Sequence, residues 1–160
     1  MLAKEILEKK KQQGINTVYT ISDSASAFEA IAELDKLKVG ALIILGDKNE
    51  IIGIVSERDI LYKCYNSGIA LKERNIKDLM TKRDDLIIGR TSDNVQYLRN
   101  VMTEKRIRHI PIFDDSNYLV GIISSGDIIK NELEATETEA KLLREHIKNP
   151  FGVHLYSNEE

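Results

Sequence analysis

The sequence predicts an α+β (mixed α/β) fold built from two copies of one strand–helix–strand–strand–helix unit. Three observations lead there. The chain of 160 residues writes one stretch twice: Ile51-Ile52-Gly53-Ile54-Val55-Ser56-Glu57-Arg58-Asp59-Ile60 returns 68 positions later as Leu119-Val120-Gly121-Ile122-Ile123-Ser124-Ser125-Gly126-Asp127-Ile128. The same offset holds without a gap back to Val39 and Ile107, with Asp47/Asp115 and Asn49/Asn117 identical on the way. Around each copy, short β-branched runs alternate with stretches of helical periodicity. A unit of under about 70 residues is marginal alone, so the copies are expected to pack face to face.

The elements follow in order. Residues 2–12 form a short helix with Leu2, Ile6 and Leu7 along one edge and Gly14 after its end. Residues 17–21 are a β-type run, and Ser22-Asp23-Ser24 offers helix caps. Ala27, Ala30, Ile31, Leu34 and Leu37 then mark a helix face. Residues 41–45 and 51–55 are strands joined by the turn Gly46-Asp47-Lys48-Asn49-Glu50, and a helix runs from Ser56 to about Tyr65. The second copy opens with the apolar-edged turn at 76–80. Leu86-Ile87-Ile88 repeats the first strand, Thr91-Ser92-Asp93 the cap, and Val95, Leu98, Val101 and Met102 the helix face. Residues 109–113 and 119–123 repeat the strand pair. The last helix runs past the repeat: Ile129, Leu133, Thr136, Ala140, Leu143 and Ile147 step by four and three, the stagger of a packing seam, until Asn149-Pro150. Either intramolecular packing or a dimer contact would use that seam. Phe151, Leu155 and Tyr156 lie in a tail that could dock elsewhere. The boundaries expected are 1–13 for the first helix, 14–66 and 78–131 for the repeats, 67–77 for the linker, and 132–160 for the last helix and tail.

Bulk properties narrow the function. A net charge of −3, with Lys9-Lys10-Lys11 the sole basic run, argues against a nucleic-acid partner. No apolar run approaches about 18 residues, and the N-terminus lacks the pattern of a signal peptide. The single cysteine, Cys64, suggests a reducing compartment, the cytoplasm, and its apolar neighbours Ile60 and Leu61 suggest a core role. His109, His146 and His154 are scattered, no metal-ligand spacing occurs, and no nucleophile or acid–base pair is visible, so neither catalysis nor a metal is expected.

Two constellations could carry binding. Ser56-Glu57-Arg58-Asp59 and Ser124-Ser125-Gly126-Asp127 read first as capping boxes, which need no ligand. The same geometry also offers free amides and a carboxylate beside a strand end, and a carboxylate accepts two hydrogen bonds from a ribose diol. Arg106, Arg108 and His109, before Ile110-Pro111, are either a polar strand edge or a phosphate clamp.

Taken together, the element order, the Gly-Ile-x-Ser-x-x-Asp-Ile endings at 53–60 and 121–128, and Arg108-His109-Ile110-Pro111 resemble a tandem pair of cystathionine-β-synthase (CBS) domains, a Bateman module, over about residues 14–131. With its flanking helices the chain is similar to small stand-alone bacterial CBS pairs. The resemblance implies a pseudo-twofold pair with two clefts for adenosine-containing ligands (AMP, ADP, ATP, NAD or S-adenosylmethionine) and no prosthetic group. It maps Ser56/Asp59 and Ser124/Asp127 onto the ribose sites, with Arg108 and His109 near phosphate. Arg58 could compensate where Gly40-Ala41 replaces Arg108-His109. One cleft is expected from Ser124, Gly126, Asp127, Arg108 and His109, with Asp127 on ribose and Arg108 on phosphate. Pro111 lies beside it, and Ile87, Ile110 and Ile123 hold adenine. The implied function is a non-catalytic sensor, homodimeric, signalling to an unidentified protein partner. The alternative is a structural interaction module with vestigial clefts.

Overall fold

The computed structural model describes residues 1–65, 68 and 70–148. Helix α1 (Ala3–Gln12) precedes the first unit, which comprises β1 (Thr20–Ser22), α2 (Ala27–Leu37), β2 (Ala41–Leu45), β3 (Ile51–Ser56) and α3 (Glu57–Tyr65). The second unit comprises β5 (Gly89–Arg90), α4 (Val95–Lys105), β6 (His109–Phe113), β7 (Leu119–Ser124) and α5 (Ser125–Lys148); strand β4 (Thr81–Lys82) lies between the units. The mixed α+β fold with two small sheets is the one the repeat predicts. The tail with Phe151, Leu155 and Tyr156 is outside the described residues.

The copies agree in backbone detail. In each, a parallel pair (β1–β2, β5–β6) is bridged by a helix, and the second strand turns back antiparallel onto the third. Both hairpins carry a register shift at the same place, Ile44/Leu45 and Ile112/Phe113. Lys38 and Arg106 end α2 and α4 in the left-handed region (φ 55° and 54°), and Asn49 and Asn117 turn the hairpins with φ 59° and 63°.

Helix starts and first strands differ from the sequence expectation. The cap of α2 is Ser26, reciprocated by Glu29, and the cap of α4 is Asn94. Ser22-Asp23-Ser24 and Thr91-Ser92-Asp93 instead form the turns before those caps, where Asp93 accepts from the Arg90 amide at 2.8 Å. The strand expected over 17–21 is divided. Thr20–Ser22 pairs with β2 of its own unit, whereas the Thr17 carbonyl accepts from the Ile122 amide of the other unit at 2.8 Å. Likewise Leu86-Ile87-Ile88 is not strand: Gly89–Arg90 pairs with β6, and Thr81–Lys82 joins the first sheet opposite Ile54 and Gly53. Each unit's opening segment therefore lies along the last strand of the other, since Ile122 is the repeat equivalent of Ile54.

The exchange extends to the cores. Ala3, Ile6 and Leu7 of α1 are buried with Val95, Leu98, Ile110, Ile112, Ile123 and Ile128 of the second unit. Ile76 and Leu79, from a short 3₁₀ turn before β4, complete the first core with Leu34, Leu42, Ile44, Val55 and Ile60. Ser26 and Asn94, the helix caps 68 positions apart, are each bridged by the segment that precedes the other unit (Ser26–Asn75 and Leu2–Asn94), so the swap is mutual and the pair has pseudo-twofold form.

Candidate functional site

Both Ser-x-x-Asp motifs are reciprocal caps where β3 and β7 run directly into α3 and α5. Asp59 Oδ2 accepts from the Ser56 amide (2.9 Å) and hydroxyl (2.7 Å), and Asp127 Oδ2 does so from Ser124 (2.7 and 2.8 Å). The capping reading therefore holds; it leaves Oδ1 of Asp127 as a further acceptor, whereas Oδ1 of Asp59 lies 3.5 Å from Lys63 Nζ.

The mutual exchange of segments builds two clefts, each joining one unit's cap to the other unit's strand ends. The first, about 150 Å³, brings Ser56, Arg58 and Asp59 together with Ile87, Arg106, Arg108, His109 and Pro111. Glu57 and Asp85 also line it, and Ile54, Leu86 and Ile107 supply apolar wall. Arg58 donates to the Arg106 carbonyl at 3.2 Å. The side chains of Arg106 and Arg108 are exposed and join no ion pair or hydrogen bond among the described residues. The second cleft, about 230 Å³, sets Ser124 and Asp127 against Gly40, Ala41, Lys38 and His109, with Lys10 reaching in from α1. Its lysines are engaged: Lys10 with Asp127 at 3.0 Å and Lys38 with Asp35 at 2.7 Å.

The expected cleft of Ser124, Asp127, Arg108 and His109 is thus corrected. Arg108 faces the Asp59 cap, because the opening segment of each unit crosses to the other. His109 alone lines both clefts. It lies where the units meet, and Gly40 makes room for it: a Cβ on Gly40 would fall 2.8 Å from His109 Nε2. Burial pushes the imidazole below its ordinary value of 6.5, against the pull of Glu57 and Asp127.

Other site residues separate as well. Ile110 and Ile123 are fully buried in the second core and cannot hold adenine, because alternate residues of a strand face opposite sides of the sheet. Ile87 and Pro111 do line the first cleft. Gly126 is exposed in the first turn of α5, outside both cleft linings. No sequence motif points to Lys10 or Asp85 as cleft residues. Both come from segments outside the repeated stretch, and only the 68-residue repeat carries a positional signal.

The family model of the CBS domain matches residues 15–66 and 76–134. The chain belongs to the CBS-domain family. Its fold matches that of a CBS-domain containing protein of Agrobacterium tumefaciens, with a TM-score of 0.74, 28% identity, and coverage of 82% of this chain and 99% of that one. It also matches CBSX2, solved in complex with AMP, with a TM-score of 0.60, 26% identity, and coverage of 74% and 90%. Inosine-5'-monophosphate dehydrogenase of Nitrosopumilus maritimus is 30% identical over 81% of this chain, but the match spans only 26% of that enzyme. The shared part is thus the CBS pair, a module fit for regulatory ligand binding. Among the described residues of this pair, no cluster of three His, Cys, Asp or Glu side chains could hold a metal, and no helix is long and apolar enough to cross a membrane.

Proposed function

We propose that this CBS pair is a non-catalytic sensor that binds an adenine nucleotide, AMP or a close relative such as ADP, ATP or NAD, in the first cleft. The observation that carries this reading is the convergence there of the Asp59 carboxylate with the unpaired Arg106 and Arg108 beside the apolar surface of Ile54, Leu86 and Ile87. A carboxylate suits a ribose diol, guanidinium groups suit phosphate, and apolar wall suits a purine. The AMP bound to CBSX2 supports the same ligand class. The second cleft offers Asp127 without an unpaired cation, so phosphate selects the first. Ligand and apo states differ in how the two units meet at His109, and a cytoplasmic protein partner reads that difference.

The pair works as a homodimer. Ile129, Leu133, Leu143 and Ile147 lie open along α5, and Ile31, Leu61 and Tyr62 are exposed beside an apolar hollow of about 1170 Å³ between α2 and α3. These helical faces also favour a second reading, an interaction module whose clefts are vestigial.

Thermal shift with AMP, 2′-deoxy-AMP and adenosine separates the two. A ligand at a hundredfold excess over its Kd stabilises the native state by about 2.7 kcal/mol. Asp59→Ala is expected to erase the preference for AMP over 2′-deoxy-AMP. Arg108→Ala is expected to weaken AMP much more than adenosine. No stabilisation by any of the three would leave the interaction module.

A further inference from the structure

The two capped carboxylates are not equally available. Lys10 enters the second cleft from α1 and places its Nζ 3.0 Å from Asp127 Oδ2 and 3.1 Å from the Ile122 carbonyl oxygen. The side chains are only 17% and 20% exposed, so the pair is shielded far more than a surface ion pair. Asp59 also has a lysine nearby, Lys63 at 3.5 Å from Oδ1, but Lys63 donates to the Leu79 carbonyl and does not line the first cleft. The difference is thus one of position: one ammonium stands where a ligand would, the other does not.

Lys10 is also delivered by a fixed element. Ala3, Ile6 and Leu7 bury α1 in the second core, and Leu7 packs into the space over Gly121 that a Cβ would fill. Lys9, one position earlier, donates to the buried Asn131 at 2.8 Å. The helix therefore holds its ammonium at the cleft without help from a ligand. A ribose diol that takes both oxygens of Asp127 must displace the charge-assisted hydrogen bond at Oδ2, about twice as strong as a neutral one.

We propose that Lys10 is an internal competitor for the second cleft: its ammonium occupies Asp127 in the place of a ribose diol, and a nucleotide reaches that cleft only when Lys10 withdraws. This rests on the reading of the clefts as nucleotide sites. It makes α1 the element through which second-cleft occupancy is controlled, because withdrawing Lys10 loosens the contact between α1 and β7.

Titration calorimetry of the full chain with AMP tests it, using the wild type, Lys10→Met, Asp59→Ala and the double variant. Met keeps the packed stem and removes the charge; Lys10→Gln serves as a second variant should Met fail to fold. The wild type is expected to show one site, lost in Asp59→Ala. Lys10→Met is expected to add a second site at least about tenfold tighter than any in the wild type beyond the first, and the double variant to retain that site alone. A wild type with two equal sites, or a Lys10→Met that still titrates as one, overturns the proposal. So does a double variant without binding, which would make Lys10 a phosphate anchor instead. Failure of the nucleotide reading looks different: no form of the protein binds AMP at all.

Discussion

Gly40 and His109 show how a single atom decides where the two units meet. A methyl placed on Gly40 would lie 2.8 Å from His109 Nε2, so Gly40→Ala forces the ring or the strand to move. Such overpacking typically costs about 1–3 kcal/mol. The substitution is expected to lower the melting temperature, and His109→Ala in the same chain is expected to restore most of the loss. A denaturant-unfolding cycle over the four forms reads this directly. His109 also gives stability a pH dependence. Its folded pKa lies below the ordinary 6.5, so the native state binds fewer protons than the unfolded chain. That contribution is fully present above the unfolded pKa and is lost as pH falls through it toward the folded value. Stability measured from pH 7.5 down to 5 is expected to fall less steeply in His109→Gln than in the wild type.

At the scale of elements, α1 behaves as part of the second unit although it precedes the first. Leu7 is 3% exposed and meets Gly121 across the core boundary. Leu7→Ala is expected to destabilise by about 2–5 kcal/mol, a large fraction of the roughly 5–15 kcal/mol of a typical domain. Chemical denaturation of that variant, set against Lys4→Ala on the exposed side of the same helix, separates core loss from helix propensity. If both cost the same, α1 does not contribute to the second core. The cap of α2 is a smaller lever: Ser26→Ala removes the oxygen that accepts from the Glu29 amide at 3.2 Å and is expected to cost about 1 kcal/mol.

For the whole molecule, the exposed apolar helical faces bear on assembly. Ile129 is 64% exposed, Leu133 58% and Ile147 78%, along a helix of 24 residues that outruns the second unit. Burying such side chains is worth about 1.5–3 kcal/mol each, which a second copy can supply. Light scattering at tens of micromolar is expected to give a dimer mass, and Leu133→Glu with Leu143→Glu to shift it toward monomer. A wild-type monomer mass would remove the dimer from the functional reading.

Local signals suffice for the repeat, both hairpins and the two capped aspartates. β-branched runs, turn residues and the Ser-x-x-Asp spacing act within a few residues, and the 68-residue offset checks each reading against its copy. They put Ser56, Asp59, Ser124 and Asp127 at helix starts, where the structure has them. Which side chains share a cleft is instead a matter of long-range packing. Arg108 is close to Asp127 in sequence but faces Asp59, because Thr17 and Thr81 carry each unit's opening segment to the far side of the other. Ile110 faces the core while Pro111, its neighbour, faces the cleft, a choice fixed by strand register rather than by residue type. Lys10 could not be assigned from its basic run, since its role follows from the docking of α1 on β7, a contact between residues more than a hundred positions apart.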